Sequence, residues 1–283
     1  MERRSNIAVA VVVAVVAVAM VVMEFSVGSF PVDIFRFPVN ILTMALWLAL
    51  LGVVYKQRAT SPVARFMLSQ RAVWLSFSLV AVVGIALGLE RRPSSDAWVV
   101  VAAILFILSH LVLITLRGWR TAQGIRWRFT LLHLGLILAL GAGFWGAPDR
   151  EQLRIAIDHE PNDEAYTMSG TPRILDYTLT LEDYDIRLDD NGMPQHYEAV
   201  VGIDGERHAI RVNHPYARTW QEKIYLISLG ESASGERYCI VEIVCEPWQW
   251  LLMAGIVMLI AGAVMMFLGG PRRSGNDKIT ERI

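Results

Sequence analysis

The sequence predicts an integral membrane protein in which about six transmembrane α-helices carry one small extracytoplasmic domain with an antiparallel β fold. Two observations predict this fold class. Hydrophobic residues make up 54% of the 283 residues and charged residues only 19%, a balance that is unusual for a soluble domain. The charge is also unevenly divided. Residues 148–246 hold 20 acidic and 9 basic residues, a net charge of −11, whereas the rest of the chain holds 7 acidic and 17 basic residues, a net charge of +10.

Six segments are apolar enough to cross a bilayer, which requires roughly 20 mostly apolar residues. In chain order they are Ile7–Met23, Val39–Tyr55, Val73–Leu89, Trp98–Leu116, Phe129–Trp145 and Trp248–Leu268. The first segment begins with basic residues, as a signal peptide does. Its apolar run is long, however, and no small-residue cleavage site precedes Glu24. We therefore interpret it as an uncleaved membrane anchor.

Basic residues fall on alternate sides of these spans. They cluster before the first span, between the second and third, between the fourth and fifth, and after the sixth: Arg3, Arg4, Lys56, Arg58, Arg65, Arg71, Arg117, Arg120, Arg126, Arg128, Arg272 and Arg273. The positive-inside rule then predicts that both termini are cytoplasmic and that residues 148–246 are extracytoplasmic.

These boundaries divide the chain into five predicted parts. They are an N-terminal transmembrane hairpin (1–56), transmembrane helices 3 to 5 (57–147), an acidic β-rich domain (148–246), transmembrane helix 6 (247–270) and a cytoplasmic tail (271–283). The excess negative charge of the acidic domain predicts an attraction for basic partners.

The acidic domain shows strand patterns between Leu153 and Cys245. Tyr177–Leu188 alternates between apolar and polar residues, but the alternation slips near Asp183, which predicts a β-bulge. Asn191-Gly192 predicts a turn, and Asp204-Gly205 predicts a tight hairpin between two strands. Two further strands are predicted at Lys223–Leu229 and Tyr238–Cys245, and together these strands predict a compact antiparallel sheet or a small sandwich.

Two histidines are the only ionisable residues inside the spans. His110 lies seven residues before Arg117, and His133 lies five residues after Arg128, so both are expected near the cytoplasmic boundary. Histidine is a common axial ligand of haem iron, and an apolar span suits the macrocycle. An intramembrane ionisable residue is a candidate functional residue. The alternative for each is a neutral histidine that is hydrogen-bonded to a neighbouring helix.

Other chemistry finds little support in the sequence. There is no dinucleotide-binding fingerprint, no G-x-S-x-G, no H-E-x-x-H and no C-x-x-C, so we predict no catalytic residue. Cys239 and Cys245 lie six residues apart in one predicted strand, which excludes a disulfide between them. His159, His196, His208 and His214 lie in the acidic domain and are interpreted as surface or turn residues.

Several segments resemble one known family. The fifth span, LLHLGLILALGAGFWG (Leu131–Gly146), is similar to the histidine-bearing helix that leads into the outer domain of ResB/CcsB proteins. The stretches LEDYDIRLDDNGMPQHYEAVV, IRVNHPYARTWQEKIYLISLG and YCIVEIVCEPWQWLLMAGIVMLIAGAVMMF resemble that family's outer strands and last helix, in the same order. The resemblance covers about Arg128 to Gly270. The outer domain is short for the family, and six spans exceed the four expected.

The resemblance implies a System II cytochrome c maturation subunit in the bacterial cytoplasmic (inner) membrane. Such a subunit works with a CcsA-like membrane partner to carry or position haem b, held transiently and shared with that partner, for covalent attachment to apocytochrome c. It implies an accessory role in a holocytochrome c synthetase (haem lyase) complex. It also implies that His133 is the axial ligand to haem iron, whereas His110 has no counterpart in the family's motif.

Two other classes of function remain open from the sequence. In the first, His110 and His133 together ligate one haem within the chain, as in a membrane cytochrome b-like electron carrier. In the second, the protein is an assembly scaffold without cofactor, and its acidic domain docks a partner. Besides the CcsA-like protein and apocytochrome c, the expected partner is membrane lipid. No nucleic-acid partner is predicted.

Overall fold

The computed structural model describes Val15 and residues 18–20, 22–89, 97–188 and 194–268. The chain forms two compact units: Asp149–Gln249 is one, and the segments before and after it together form the other. The predicted first span, Ile7–Met23, lies mostly outside the described residues, and the predicted Asn191-Gly192 turn lies outside them entirely.

The first unit consists of helices. They are α1 (Val18–Val27), α2 (Val39–Lys56), α3 (Pro62–Met67), α4 (Gln70–Leu89), α5 (Trp98–Gly118), α6 (Trp127–Gly146) and α7 (Gln249–Leu268). Among the described residues, five helices are long and apolar enough to cross a membrane: α2, α4, α5, α6 and α7. They coincide with the second to sixth predicted spans, and the protein is a membrane protein.

Polar side chains tie α2 to two other helices. The side-chain amide of Asn40, which is fully buried, donates to the carbonyl oxygen of Trp145 in the last turn of α6 at 3.0 Å. The indole of Trp47 donates to Ser109 Oγ on α5 at 2.9 Å. Because the last carbonyls of a helix lack partners within the helix, the Asn40 bond satisfies a group that would otherwise be unpaired in an apolar setting.

Helices α6 and α7 approach each other closely because glycines face each other at their contact. A Cβ atom at Gly135 would lie 2.7 Å from the Gly255 carbonyl oxygen, and one at Gly255 would lie 2.6 Å from the Ala139 backbone nitrogen. A Cβ at Gly262 would lie 2.9 Å from Leu132 Cγ. Small residues at such spacing let two membrane helices pack backbone to backbone.

The second unit is an eight-stranded antiparallel sheet in the order β7-β6-β5-β4-β3-β10-β9-β8. Its strands are β3 (Glu151–Ile157), β4 (Asn162–Thr167), β5 (Pro172–Leu188), β6 (Pro194–Ile203), β7 (Glu206–Arg211), β8 (Tyr216–Ala217), β9 (Glu222–Glu231) and β10 (Arg237–Cys245). Two short strands, β1 (Arg120–Thr121) and β2 (Gly124–Ile125), form a separate hairpin between α5 and α6.

The eight-stranded sheet curls until its two edges meet. The imidazole of His208 on β7 stacks on the ring of Tyr216 on β8, with ring centroids 3.9 Å apart. An isolated backbone β-bridge joins Arg211, at the end of β7, to His214 in the turn that leads to β8. Alternate residues of the strands therefore face one shared core. The fully buried members of that core are Ala165, Leu179, Ala199, Val201, Ile210, Ile224, Cys239 and Val241. Of the two predicted forms, the compact antiparallel sheet is the one that occurs.

Two local predictions for this domain are confirmed. The pairing of β5 with β6 shifts register between Leu181 and Asp183, which is the predicted bulge. Asp204 and Gly205, at the tip of the β6–β7 hairpin, have φ angles of 51° and 83°. Positive φ at both central residues is the signature of the tight turn that Asp-Gly favours.

Candidate functional site

His110 lies in the middle of the helical unit. Its side chain is on α5, and the residue is only 3% exposed. Its Nδ1 lies 2.7 Å from the carbonyl oxygen of Met67, the last residue of α3. Because a carbonyl oxygen can only accept, Nδ1 carries the proton and donates, and Nε2 of the neutral ring keeps a lone pair. That Nε2 is buried and has no hydrogen-bond partner in the described part of the chain.

A second residue of α5 supports the same contact. One guanidinium nitrogen of Arg117 donates to the carbonyl oxygen of Leu68 at 3.0 Å, next to the carbonyl that His110 binds. The C-terminal carbonyls of a short helix need partners of this kind. His110 and Arg117 therefore hold the end of α3 against α5, which gives His110 a structural role whatever else it does.

His133 has the same hydrogen-bond pattern in a different setting. On α6, its Nδ1 donates to the carbonyl oxygen of Phe129, one turn earlier in the same helix, at 2.9 Å. Nε2 therefore carries the lone pair here also. Unlike His110, the side chain is only half-buried. Leu132 and Gly135 face α7. At 100° per residue, His133 points away from that contact.

Aromatic packing fixes the plane of the His133 ring. The imidazole stacks on the Phe129 ring with centroids 3.9 Å apart and an angle of 27° between the planes. The Phe129 ring in turn packs against Gly118 at the end of α5, where a Cβ would lie 2.7 Å from it. The guanidinium of Arg126 lies over the Phe129 ring at 4.8 Å. No role beside His133 was predicted for Phe129 or Arg126. Their spacings of four and seven residues from His133 nevertheless place them on one helix face.

The two histidines have different neighbours although α5 and α6 pack against each other. The ring near His110 is Phe106, with parallel planes and centroids 6.5 Å apart, whereas His133 stacks on Phe129. Within the described ranges, no group of three His, Cys, Asp or Glu residues is arranged to hold a metal ion. The chain thus offers single imidazoles, each with a free lone pair on Nε2.

The cysteines of the β unit are free, so the prediction that they form no disulfide is confirmed. Cys239 is buried in the core of the sheet, and this burial raises the pKa of its thiol to about 12. Burial, together with the nearby carboxylate of Glu222, also raises the pKa of Cys245. Neither residue is therefore a thiolate at neutral pH, the state that a nucleophile or a metal ligand requires.

Comparison with known proteins identifies one family. No curated protein matches the chain. Residues 124–243, from β2 to β10, match the ResB-like family. This segment contains His133 with its stacked Phe129, and nearly the whole curled sheet, whereas His110 lies outside it. This segment is 120 of the 283 residues, and through it the chain is similar to the ResB-like family, whose context is cytochrome c biogenesis.

Proposed function

We propose that this protein is a System II cytochrome c maturation subunit that holds haem by His133 and works with a CcsA-like partner. The observation that carries the proposal is the state of the His133 ring. Nδ1–H is committed to the Phe129 carbonyl oxygen, so the Nε2 lone pair is free. An axial histidine of haem is held in the same way, since a hydrogen bond at one ring nitrogen fixes the tautomer and the orientation of the other.

The surroundings of His133 fit a ligand that is shared with another chain. The residue is half-buried, and the stacking of its ring on Phe129 leaves it few orientations. Haem bound there would have one side open for a histidine of the CcsA-like partner. His110 fits less well because its Nε2 is enclosed by packed side chains and its Nδ1 holds α3. We therefore assign the iron-ligand role to His133 and keep His110 as the second candidate.

The proposal includes a defined orientation of the chain in the membrane. In this proposal the protein lies in the bacterial cytoplasmic membrane with both termini inside, and the β domain (148–246) is outside, where apocytochrome c receives haem. The alternation of basic loops supports it. A cysteine at Ser234 should then react with a membrane-impermeant maleimide added to intact cells, and one at Gln123 should not. Reversed labelling would contradict the topology.

The charge of the β domain suits a basic client. Its net charge of −11, from 20 acidic and 9 basic residues, would steer apocytochrome c electrostatically toward the outer face. Binding of the client should therefore weaken as the salt concentration rises, and salt-independent binding would contradict this part of the proposal.

One experiment separates the proposal from both alternatives. The chain is purified alone and with a CcsA-like partner, and the haem content and visible spectrum of each sample are recorded. Haem that appears only with the partner supports maturation. A stoichiometric bis-histidine spectrum from the chain alone would favour the electron carrier with His110 and His133 as ligands. Absence of haem from both samples would favour the scaffold.

A further inference from the structure

The curled sheet has one end that is connected to the membrane helices. The end of β10 at Cys245 pairs with the start of β3 at Glu151 on one side and with the start of β9 at Glu222 on the other. We call this the helix-connected end. Two contacts hold the connections together: the Trp248 indole donates to Asp149 at 2.7 Å, and Arg150 pairs with Glu246 at 3.0 Å.

The connections between this end and helices α6 and α7 are short. Helix α6 ends at Gly146, five residues before β3 begins, and α7 begins at Gln249, four residues after β10 ends. Because an extended chain spans at most about 3.6 Å per residue, neither connection is longer than about 18 Å. The opposite end, at the β9–β10 loop, lies a full strand length farther along the sheet.

Two loops lie at the helix-connected end. In the β8–β9 loop, the carbonyl oxygen of Gln221 accepts a hydrogen bond from the backbone N–H of Glu246 at 2.8 Å. The β4–β5 hairpin reaches the same place, because Leu153 of β3 pairs with Thr167 of β4, just before the hairpin tip. Arg173, just after that tip, forms an ion pair with Glu151 at 3.4 Å.

These two loops expose large apolar side chains. Trp220 in the β8–β9 loop is 61% exposed, Met168 at the tip of the β4–β5 hairpin is 59% exposed, and Ile174 on the same hairpin is 71% exposed. The β9–β10 loop at the opposite end differs in composition: its residues 232–236 read SASGE. The three most exposed large apolar side chains in the described part of the β domain therefore belong to loops or strand starts at the helix-connected end.

Three arginines at the helix-connected end are paired with carboxylates. Arg150, Arg173 and Arg218 each form an ion pair with a glutamate, respectively Glu246, Glu151 and Glu222. Paired and hydrogen-bonded charges cost less to move toward a medium of low polarity than isolated charges do. The strongly acidic character of the domain therefore does not prevent this end from approaching lipid headgroups.

We propose that the β4–β5 and β8–β9 loops insert into the lipid–water interface on the side of the membrane where the β domain lies. The inserted side chains are Trp220, Met168 and Ile174. These side chains would contact the lipid headgroups and the upper part of the acyl chains. Tryptophan prefers that region because its ring is apolar and its N–H is polar. With α6 and α7 the loops would give the domain four points of contact with the bilayer and fix its tilt. The inference does not depend on haem binding or on a CcsA-like partner.

The test places an environment-sensitive fluorophore, NBD, on single cysteines of the full chain in lipid nanodiscs. Cys245→Ser removes the half-buried thiol, and Cys239 stays protected in the core. Labels at Trp220→Cys and Met168→Cys should emit at shorter wavelength and lose most of their emission when lipids with a nitroxide near the headgroup are included. Ser234→Cys in the β9–β10 loop is the matched control and should keep the emission of a label in water.

Two results would overturn the proposal. In the first, labels at Trp220→Cys and Met168→Cys behave as the Ser234→Cys label does. In the second, their emission shifts but the nitroxide lipids do not quench it, which would mean that protein rather than lipid covers the loops. Trp220→Glu provides a second measurement, since a carboxylate at this position should lower the lipid quenching of a label at Met168→Cys.

Discussion

Helices α5 and α6 each carry one histidine, with the same tautomer and opposite surroundings. Both rings donate Nδ1–H to a backbone carbonyl oxygen, that of Met67 for His110 and that of Phe129 for His133. His110 donates to another helix, and its Nε2 is sealed inside the protein. His133 donates within its own helix and remains half-exposed. The two histidines therefore differ in the partner of Nδ1 and in the accessibility of Nε2, and our proposal assigns the ligand role on that difference.

The difference follows from the position of each helix in the bundle. Helix α5 packs against α2, α4 and α6, and it contributes more buried residues than any other described helix. Helix α6 packs against α5 and α7, and against α2 through its last turn, and the face that carries His133 is partly open. A histidine on the central helix is enclosed by its neighbours, and a histidine on the open face of α6 can meet another molecule.

The largest effect is expected where α6 meets α7. Gly135→Leu would place a side chain 2.7 Å from the Gly255 carbonyl oxygen, which the backbone cannot avoid without separating the helices. Overpacking typically costs about 1–3 kcal/mol in free energy of unfolding, and we expect the upper end of this range because the atoms in the way belong to backbone. Thermal unfolding in detergent measures it.

The control for that substitution lies on the same helix. Gly143→Leu meets nothing within 4 Å, so it should change the free energy of unfolding little. Equal destabilisation by both substitutions would mean that the close approach of α6 and α7 at Gly135 does not stabilise the helical unit.

A smaller loss of stability is expected from His110→Ala. It would leave the Met67 carbonyl oxygen without its donor, and an unsatisfied buried acceptor costs about 1–3 kcal/mol. Trypsin should then cleave more readily near Arg65, in α3. His133→Ala should not change this cleavage, because its bond lies within α6. The comparison between the two histidines fails if both substitutions release α3 equally.

The smallest effect is expected from Phe129→Leu. It keeps an apolar side chain against Gly118 but removes the ring on which His133 stacks, while the Phe129 backbone carbonyl stays. Stacked aromatic pairs contribute about 0.5–1.5 kcal/mol, so the affinity for haem should fall about two- to tenfold. Titration of the purified complex with haem measures the change. Phe106→Leu, beside His110, is the control and should leave the affinity unchanged.

Features that depend on neighbouring residues could be predicted from the sequence. The spans, the bulge near Asp183 and the Asp204-Gly205 turn each follow from a short pattern of residues. Strand β4 was not predicted, because its sequence NDEAYT shows no alternation of apolar and polar residues. Only Ala165 is fully buried in it. The short helix α3 was missed although Ser61-Pro62 is a helix-start signal.

Long-range contacts could not be predicted. The bond from His110 to Met67 joins residues 43 apart in sequence, and nothing near His110 indicates it. The pairing of β3 with β10 likewise joins segments that are far apart in sequence. By contrast, Phe129 and His133 lie four residues apart on one helix, so their stacking could have been predicted from the spacing alone.

The central claim is that His133, and not His110, is the haem ligand of this chain. The most direct test is the visible spectrum of the complex with the CcsA-like partner, purified with His133→Gly or His110→Gly, in the absence and presence of imidazole. We predict that His133→Gly loses the haem and that imidazole restores it by occupying the vacated ligand position. His110→Gly should keep its haem. Retention of haem by His133→Gly and its loss from His110→Gly would contradict the account.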